Sequence, residues 1–225
     1  MKPLHRIVMS LLFVGFISST ATAQKRLTEG VLQYKISIGS SKPGVNNISG
    51  FDDAQLSVYL KPNSSRAEMK SSLGTESTVY NNRLSSGFIL KEYSGQKLMI
   101  SLTAANWAQK NSAYENLDFT ISPQTSTIAG YTVKKATATR ADGQVFTVYF
   151  DPSVSIVNNN YNNSFTKLPG LPIQYDIQSG DLTFTYTLTS VSYETVPNNK
   201  FEAPKAGYRV MTYEENQQLR KQPGS

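Results

Sequence analysis

Along most of this chain apolar residues recur at every second position, the period of a β-strand with one face covered and one face wet. The clearest run is Leu182-Thr183-Phe184-Thr185-Tyr186-Thr187-Leu188-Thr189, apolar or aromatic at each even position and threonine at each odd one. After Ser190 the phase flips to Val191 and Tyr193. A slip of one residue would turn the covered face outward, so a β-bulge or sharp bend is expected near Thr189-Ser190. Leu32, Tyr34, Ile36 and Ile38 alternate in the same way, as do Leu56, Val58 and Leu60 before the stop at Lys61-Pro62-Asn63. Weaker strands run over 65–71 and 75–80, separated by Leu73-Gly74. Two hairpins are legible, 86–93 with 96–102 around Ser94-Gly95, and 131–140 with 144–150 around Ala141-Asp142-Gly143. So many alternating strands predict a mainly β protein built on a single curved antiparallel sheet.

Helix is scarce. The segment 103–116, with Ala104, Ala105, Trp107 and Ala108, predicts one short helix or an irregular excursion. Thr212-Tyr213-Glu214-Glu215 has the spacing of a capping box and opens a terminal helix to about Arg220. Neither segment has a wide apolar stripe, so both are expected to cover the sheet rather than form a bundle. Asn46-Asn47, Asn81-Asn82, Asn158 to Asn163 and Asn198-Asn199 mark turns. The stretch 153–165 reads as the longest loop and the best place for disorder. No internal repeat or composition shift divides the chain. One domain over 24–211 is expected, then a short helix and tail over 212–225.

The first 23 residues read as a cleavable secretory leader. Lys2 and Arg6 supply a basic start, and the apolar run over 7–17 is shorter than the roughly 18–20 residues of a membrane-spanning helix. Small residues at Ala21 and Ala23 place cleavage before Gln24. Export to the periplasm or beyond is expected, with no membrane span after cleavage. The chain has no cysteine, which excludes disulfides and a cysteine-linked lipid anchor. Its single histidine, His5, lies in the leader. The remainder therefore has no Ser-His-Asp or Cys-His arrangement and no imidazole or thiolate zinc site. Carboxylate, lysine and tyrosine chemistry remain. The net charge of +6 falls to +4 once Lys2 and Arg6 are removed, and the basic residues are scattered apart from Arg220 and Lys221. No nucleic-acid interface is expected from that pattern. Mild basicity fits solubility and weak attraction to anionic membrane surfaces.

No glycine-rich phosphate loop is present, since Gly39, Gly44 and Gly50 are dispersed, and no cofactor or metal is expected. Asp52-Asp53 and Glu214-Glu215 are the adjacent acid pairs. A carboxylate-based hydrolase would need two acids to converge in one cleft, whereas solvated turn and helix-cap acids are the simpler reading. Asp52 lies outside any D-x-D-x-D-G calcium loop. Trp107, the one tryptophan, either lines a ligand cavity or serves as a core residue. Lys167-Leu168-Pro169-Gly170-Leu171-Pro172-Ile173 leads into a strand at Gln174-Tyr175-Asp176, and reads as a rigid turn before an edge-compatible strand.

Four motifs stand in order: Ile128-Ala129-Gly130-Tyr131-x-x-Lys134-Lys135-Ala136, then 144–150, then Leu168-Pro169-Gly170-Leu171-Pro172, then Phe201-x-x-Pro204-x-x-Gly207-Tyr208. The set resembles an uncharacterised family of exported proteins common in Bacteroidota, which is similar to the LolA/LolB-like lipoprotein carriers. The resemblance covers 128–208. It implies a curved, incomplete antiparallel β-barrel closed by short helices, and no catalytic residue. Gly130, Tyr131, Leu168 to Pro172, Phe201, Pro204, Gly207 and Tyr208 then carry architecture.

Two readings of function follow. In the first, a non-enzymatic periplasmic protein holds a lipid or other apolar ligand in the half-barrel, with Trp107 and Tyr114 in the cover and Phe184, Tyr186 and Leu188 on the floor. In the second, a cell-envelope structural or interaction module binds a glycan or protein partner, and the 13 tyrosines suit a wet surface. A deep apolar cavity would favour the first, and a flat exposed tyrosine-rich face the second.

Overall fold

The computed structural model of the chain describes residues 24–40 and 53–221. The leader at 1–23, the Asn46-Asn47 turn, Gly44, Gly50, Asp52 and positions 222–225 of the tail lie outside the described residues. In chain order the strands are β1 (Lys25–Leu27), β2 (Gly30–Ser40), β3 (Gln55–Leu60), β4 (Ser64–Ser71), β5 (Gly74–Asn81), β6 (Ser86–Tyr93) and β7 (Gln96–Leu102). Helix α1 (Ala104–Asn111) follows, then β8 (Thr120–Ile128), β9 (Tyr131–Thr139), β10 (Val145–Asp151), β11 (Val154–Ile156), β12 (Leu171–Ser179), β13 (Leu182–Ser192), β14 (Arg209–Met211) and α2 (Tyr213–Lys221).

Twelve strands form one open sheet in the order β14-β7-β6-β5-β4-β3-β2-β13-β12-β10-β9-β8, and β1 pairs separately with β11. Every pairing in the large sheet is antiparallel except β14 with β7. The fold is therefore mainly β, a single open sheet that does not close into a barrel, with two short helices. Two meanders, β2 to β7 and β8 to β13, meet where β2 pairs with β13.

The phase flip in β13 has the expected cause. Leu188 pairs with Tyr34 and Ser190 with Gln33, so Thr189 is the extra residue of a bulge, and its hydroxyl donates to the Gln33 carbonyl at 3.0 Å. Val191 then pairs with Leu32, returning an apolar side chain to the face that holds Leu188. The Ile128-Ala129-Gly130-Tyr131 motif is a two-residue hairpin turn. Ala129 and Gly130 both have positive φ, 51° and 84°, the backbone that matches the right-handed twist of paired strands. Ser94 and Gly95 turn the other hairpin the same way, with φ of 49° and 78°.

Two sequence readings are corrected. The strand entered through Leu168 to Pro172 is not an edge: β12 lies between β10 and β13. Its Pro172 is tolerated because the register with β10 shifts there, Tyr149 pairing with Gln174 and Phe150 with Pro172. Gly170 permits the close approach, since a Cβ would stand 2.4 Å from the Asp151 carbonyl oxygen. The stretch 153–165 is not a disordered loop either. It pairs β11 with β1, forms two short 3-10 turns and buries Asn158, Tyr161, Ser164 and Phe165. Asn158 anchors it by donating to the carbonyls of Lys61 (2.9 Å) and Ser64 (3.2 Å) while accepting from the Asn82 amide (2.7 Å). Turn-forming asparagines here hold the chain onto the sheet, and full satisfaction of the Asn158 amide makes its burial affordable.

Strand β8 escaped the sequence reading because it is mostly exposed and polar, with Pro123 in a stretch of irregular register. Those are features of an edge strand that resists further pairing. At the other edge β14 covers β7 over three residues. Both helices lie on the sheet, as expected. Thr103 caps α1 in a box with Asn106, and Thr212 caps α2 with Glu215. Each such cap is worth about 1 kcal/mol. The buried Asn106 also donates to Glu214 at 2.6 Å, tying the start of α1 to the start of α2.

Candidate functional site

Cross-strand partners share a face, so the registers define an inner face of the sheet. One row on it runs Leu188, Tyr34, Leu56, Met69, Glu76, Lys91 and Leu98. Segment 153–170 and Leu117 cover the Leu188 end, and α1 and α2 cover the other.

Under segment 153–170 the inner face is filled by aromatic rings. Tyr114 meets Phe146 edge-on at 5.5 Å, Phe146 meets Phe165 at 6.1 Å, Phe165 meets Tyr175 at 4.9 Å, and Tyr175 stacks on Tyr186 at 4.8 Å. Tyr34, Tyr161 and Tyr175 are so deeply buried that loss of their hydration shell pushes each phenol well above its ordinary 10.0. Burial lifts Tyr186 to about 12. Tyr34 donates to the Pro172 carbonyl at 2.9 Å, whereas the buried Tyr161 hydroxyl has no partner among the described residues.

A pocket of about 370 Å³ opens beside this packed region, between the turn after α1 and the 160–167 segment. Trp107 forms one wall, stacked on Tyr80 at 4.1 Å with the rings 10° apart. Tyr114 and Leu117 form the next, and the Arg140 guanidinium lies 4.7 Å from the Tyr114 ring. The remaining lining is polar, with amides from Asn82, Asn116, Asn160 and Asn163. Lys167 reaches Asp118 at 2.6 Å across the lips, an exposed pair that adds little stability.

Of the residues expected to line a ligand site, Trp107 and Tyr114 share this pocket. Leu188 is wholly buried in the main core, Tyr186 is half-buried against Tyr175, and Phe184 is half-buried between its neighbours Ile177 and Ile38. None of these three lines the pocket. Sequence reading missed Tyr80 and the four amides. The asparagines read as turn formers, and nothing local to Tyr80 signals that a helix will lay Trp107 on it.

The remaining motif residues lie in the core, at turns and on the outer face. Leu168 and Leu171 are in the main core, and Pro169 is exposed at the turn. Segment 194–208 crosses the outer face, where the Lys200 carbonyl accepts from Arg66 at 3.1 Å. Phe201 and Pro204 are half-buried there, Gly207 turns the chain with φ of 85°, and the Tyr208 hydroxyl donates to Glu92. Beneath this segment Glu68 is nearly buried. Desolvation pushes its carboxyl up, and hydrogen bonds from Arg66 (2.5 Å) and Lys70 overcome that to hold it below the usual range.

No family profile matches the sequence, and no curated protein matches it. Some solved structures are similar to parts of it. PNGF-II does so with a TM-score of 0.47 at 12% identity, over 84% of this chain and 33% of that one. MucB gives 0.38 at 10% identity, over 82% and 60%, and a MucA/MucB complex from Pseudomonas aeruginosa has also been solved. The Mycobacterium tuberculosis lipoprotein LppX gives 0.35 at 14% identity, over 76% and 89%. The chain thus spans a third of PNGF-II and three fifths of MucB. Among the described residues no helix is long and apolar enough to cross a membrane.

Proposed function

We propose that this is a non-enzymatic binding protein of the cell envelope, exported by the leader at 1–23, which takes an apolar or amphiphilic ligand of the lipid class at the mouth of its open sheet. The observation that carries the reading is Trp107, stacked on Tyr80 and sharing one open pocket of about 370 Å³ with Tyr114. Flat aromatic faces offer large apolar area with few rotatable bonds. The volume is at the lower end of the roughly 300–1,000 Å³ of small-molecule sites. The ligand stays at the mouth because Phe165, Tyr175 and Tyr186 occupy the space behind it. Its polar end meets the asparagine amides. Absence of histidine and cysteine after residue 5 supports a binding role over nucleophilic catalysis.

The four amides around an aromatic platform favour a second reading, a glycan whose ring faces stack while its hydroxyls pair with Asn82, Asn116, Asn160 and Asn163. Trp107 is the sole tryptophan, so its emission reports this pocket alone. Titration with a fluorescent fatty acid is expected to quench it saturably, with affinity about tenfold weaker in Tyr114→Ala, a loss of about 1.4 kcal/mol. Saturation by oligosaccharides and not by fatty acid would replace the first reading with the second. A response to neither overturns both.

A further inference from the structure

A second cavity, of about 510 Å³, lies on the inner face between β5, β6, α1 and α2. It is charged where the first is aromatic. Lys91 of β6, Lys110 of α1, and Arg220 and Lys221 of α2 line it, and among the described residues Glu76 is the one acid that does. Cross-strand register sets Glu76 beside Lys91, yet their charged atoms are 3.8 Å apart, a loose pair with side chains only 28% and 14% exposed. Gln109, Asn216 and Gln217 add amide groups to the same walls.

Much of this charge has a local explanation to set aside. Lys110 closes α1, and Arg220 and Lys221 close α2, where cations complement the negative end of a helix dipole. Lys91 has no such reason to be there. It stands on a strand, in the row that also holds Leu56, Met69 and Leu98, with Glu76 as its one acidic neighbour there. Burial lowers the pKa of Lys91, Glu76 opposes the shift, and Arg220 and Lys110 add to it. Four cations against one carboxylate, folded together from a strand and two helices, leave a cavity that a doubly charged anion would neutralise. Lysine and arginine both suit phosphate, as point charge and planar fork respectively.

We infer that the cavity bounded by Lys91, Lys110, Arg220 and Lys221 is a binding site for a phosphate group, carried by a phospholipid head or by a small soluble phosphate. It is separate from the aromatic pocket and does not depend on that pocket's function.

The test uses calorimetric titration of the full mature chain with inorganic phosphate and pyrophosphate, and sedimentation with phosphatidylcholine vesicles containing or lacking phosphatidic acid. The double variant Lys110→Gln with Arg220→Gln changes two exposed side chains, and Lys135→Gln with Lys205→Gln is the charge-matched control elsewhere on the surface. The expected result is saturable one-site binding, weakened tenfold or more in the pocket variant and within about twofold in the control. That difference is about 1.4 kcal/mol at the pocket. Binding of the inorganic anions identifies a soluble phosphate, and pocket-dependent binding of phosphatidic acid vesicles alone identifies a lipid head. Absence of binding, or equal weakening in both double variants, overturns the site and leaves only diffuse surface charge. Tyr114→Ala, which lies outside α1 and lines only the aromatic pocket, leaves phosphate binding unchanged, so failure of the aromatic pocket and failure of this one are told apart.

Discussion

The two ends of the inner face solve the same covering problem in opposite ways. Leu188, Tyr34 and Leu56 lie at one end of a continuous cross-strand row, under a segment that drives Tyr161 and Phe165 down among Phe146 and Tyr175. Farther along the same row stand Glu76 and Lys91, under two short helices that leave an open, cationic cavity. One backbone pattern thus supports a dry aromatic core and a wet charged hollow. The difference lies in what covers each part. A segment with large rings at Tyr161 and Phe165 fills its space, whereas α1 and α2 reach the sheet mainly through Trp107 and Tyr213 and leave a gap between them. Packing buys stability in the first region, and the second retains exposed chemistry.

The comparison breaks most visibly if the filled end is not structural. Phe165→Ala removes a ring that touches Phe146, Tyr161 and Tyr175, and is expected to cost about 3–5 kcal/mol in denaturant unfolding. A loss under about 1 kcal/mol would mean that the rings do not carry the fold.

Alkaline pH sharpens it next. Burial holds Tyr34, Tyr161 and Tyr175 well above 10.0, so their contribution is complete below pH 10 and is lost as pH rises past the unfolded value toward the folded one. Tyrosinate absorbance is expected to show these three ionising only with unfolding. Tyr93, on the charged side and raised to about 12 mainly by burial, ionises in the folded protein. Stability that stays flat well above pH 10 would contradict the dry core.

Smaller effects probe the hollow end. Lys91→Met removes a mostly buried cation that faces Lys110 and Arg220, and is expected to change stability by less than about 1 kcal/mol, toward stabilisation. A large loss would assign Lys91 to structure. Smallest is Tyr161→Phe, which deletes a buried hydroxyl without a partner among the described residues and should leave the melting temperature unchanged or slightly raised. A clear fall would reveal a partner for that hydroxyl, such as a bridging water.

Strand content was legible wherever one face was covered and the other wet. Alternation at Leu32 to Ile38 and Leu56 to Leu60, and the bulge after Leu188, are local patterns whose period is a property of the backbone. The edge strand β8 was illegible because an exposed strand has no apolar face to announce it. The helix caps at Thr103 and Thr212 involve partners three residues away, so the Thr212 box could be read directly.

Half of the aromatic pocket was visible, since Trp107 and Tyr114 interrupt the strand pattern. The other half was not, because Tyr80 and Asn160 are brought beside them from positions 27 residues before and 53 residues after Trp107. The same holds for Lys91, Lys110 and Arg220, each of which reads alone as an ordinary surface cation. Sequence determined period, turns, caps and the absence of thiol and imidazole after His5, all of which depend on near neighbours or on composition. Tertiary structure decided which alternating face would be filled and which left hollow, because that depends on distant covering segments arriving with or without enough side-chain volume to close the space.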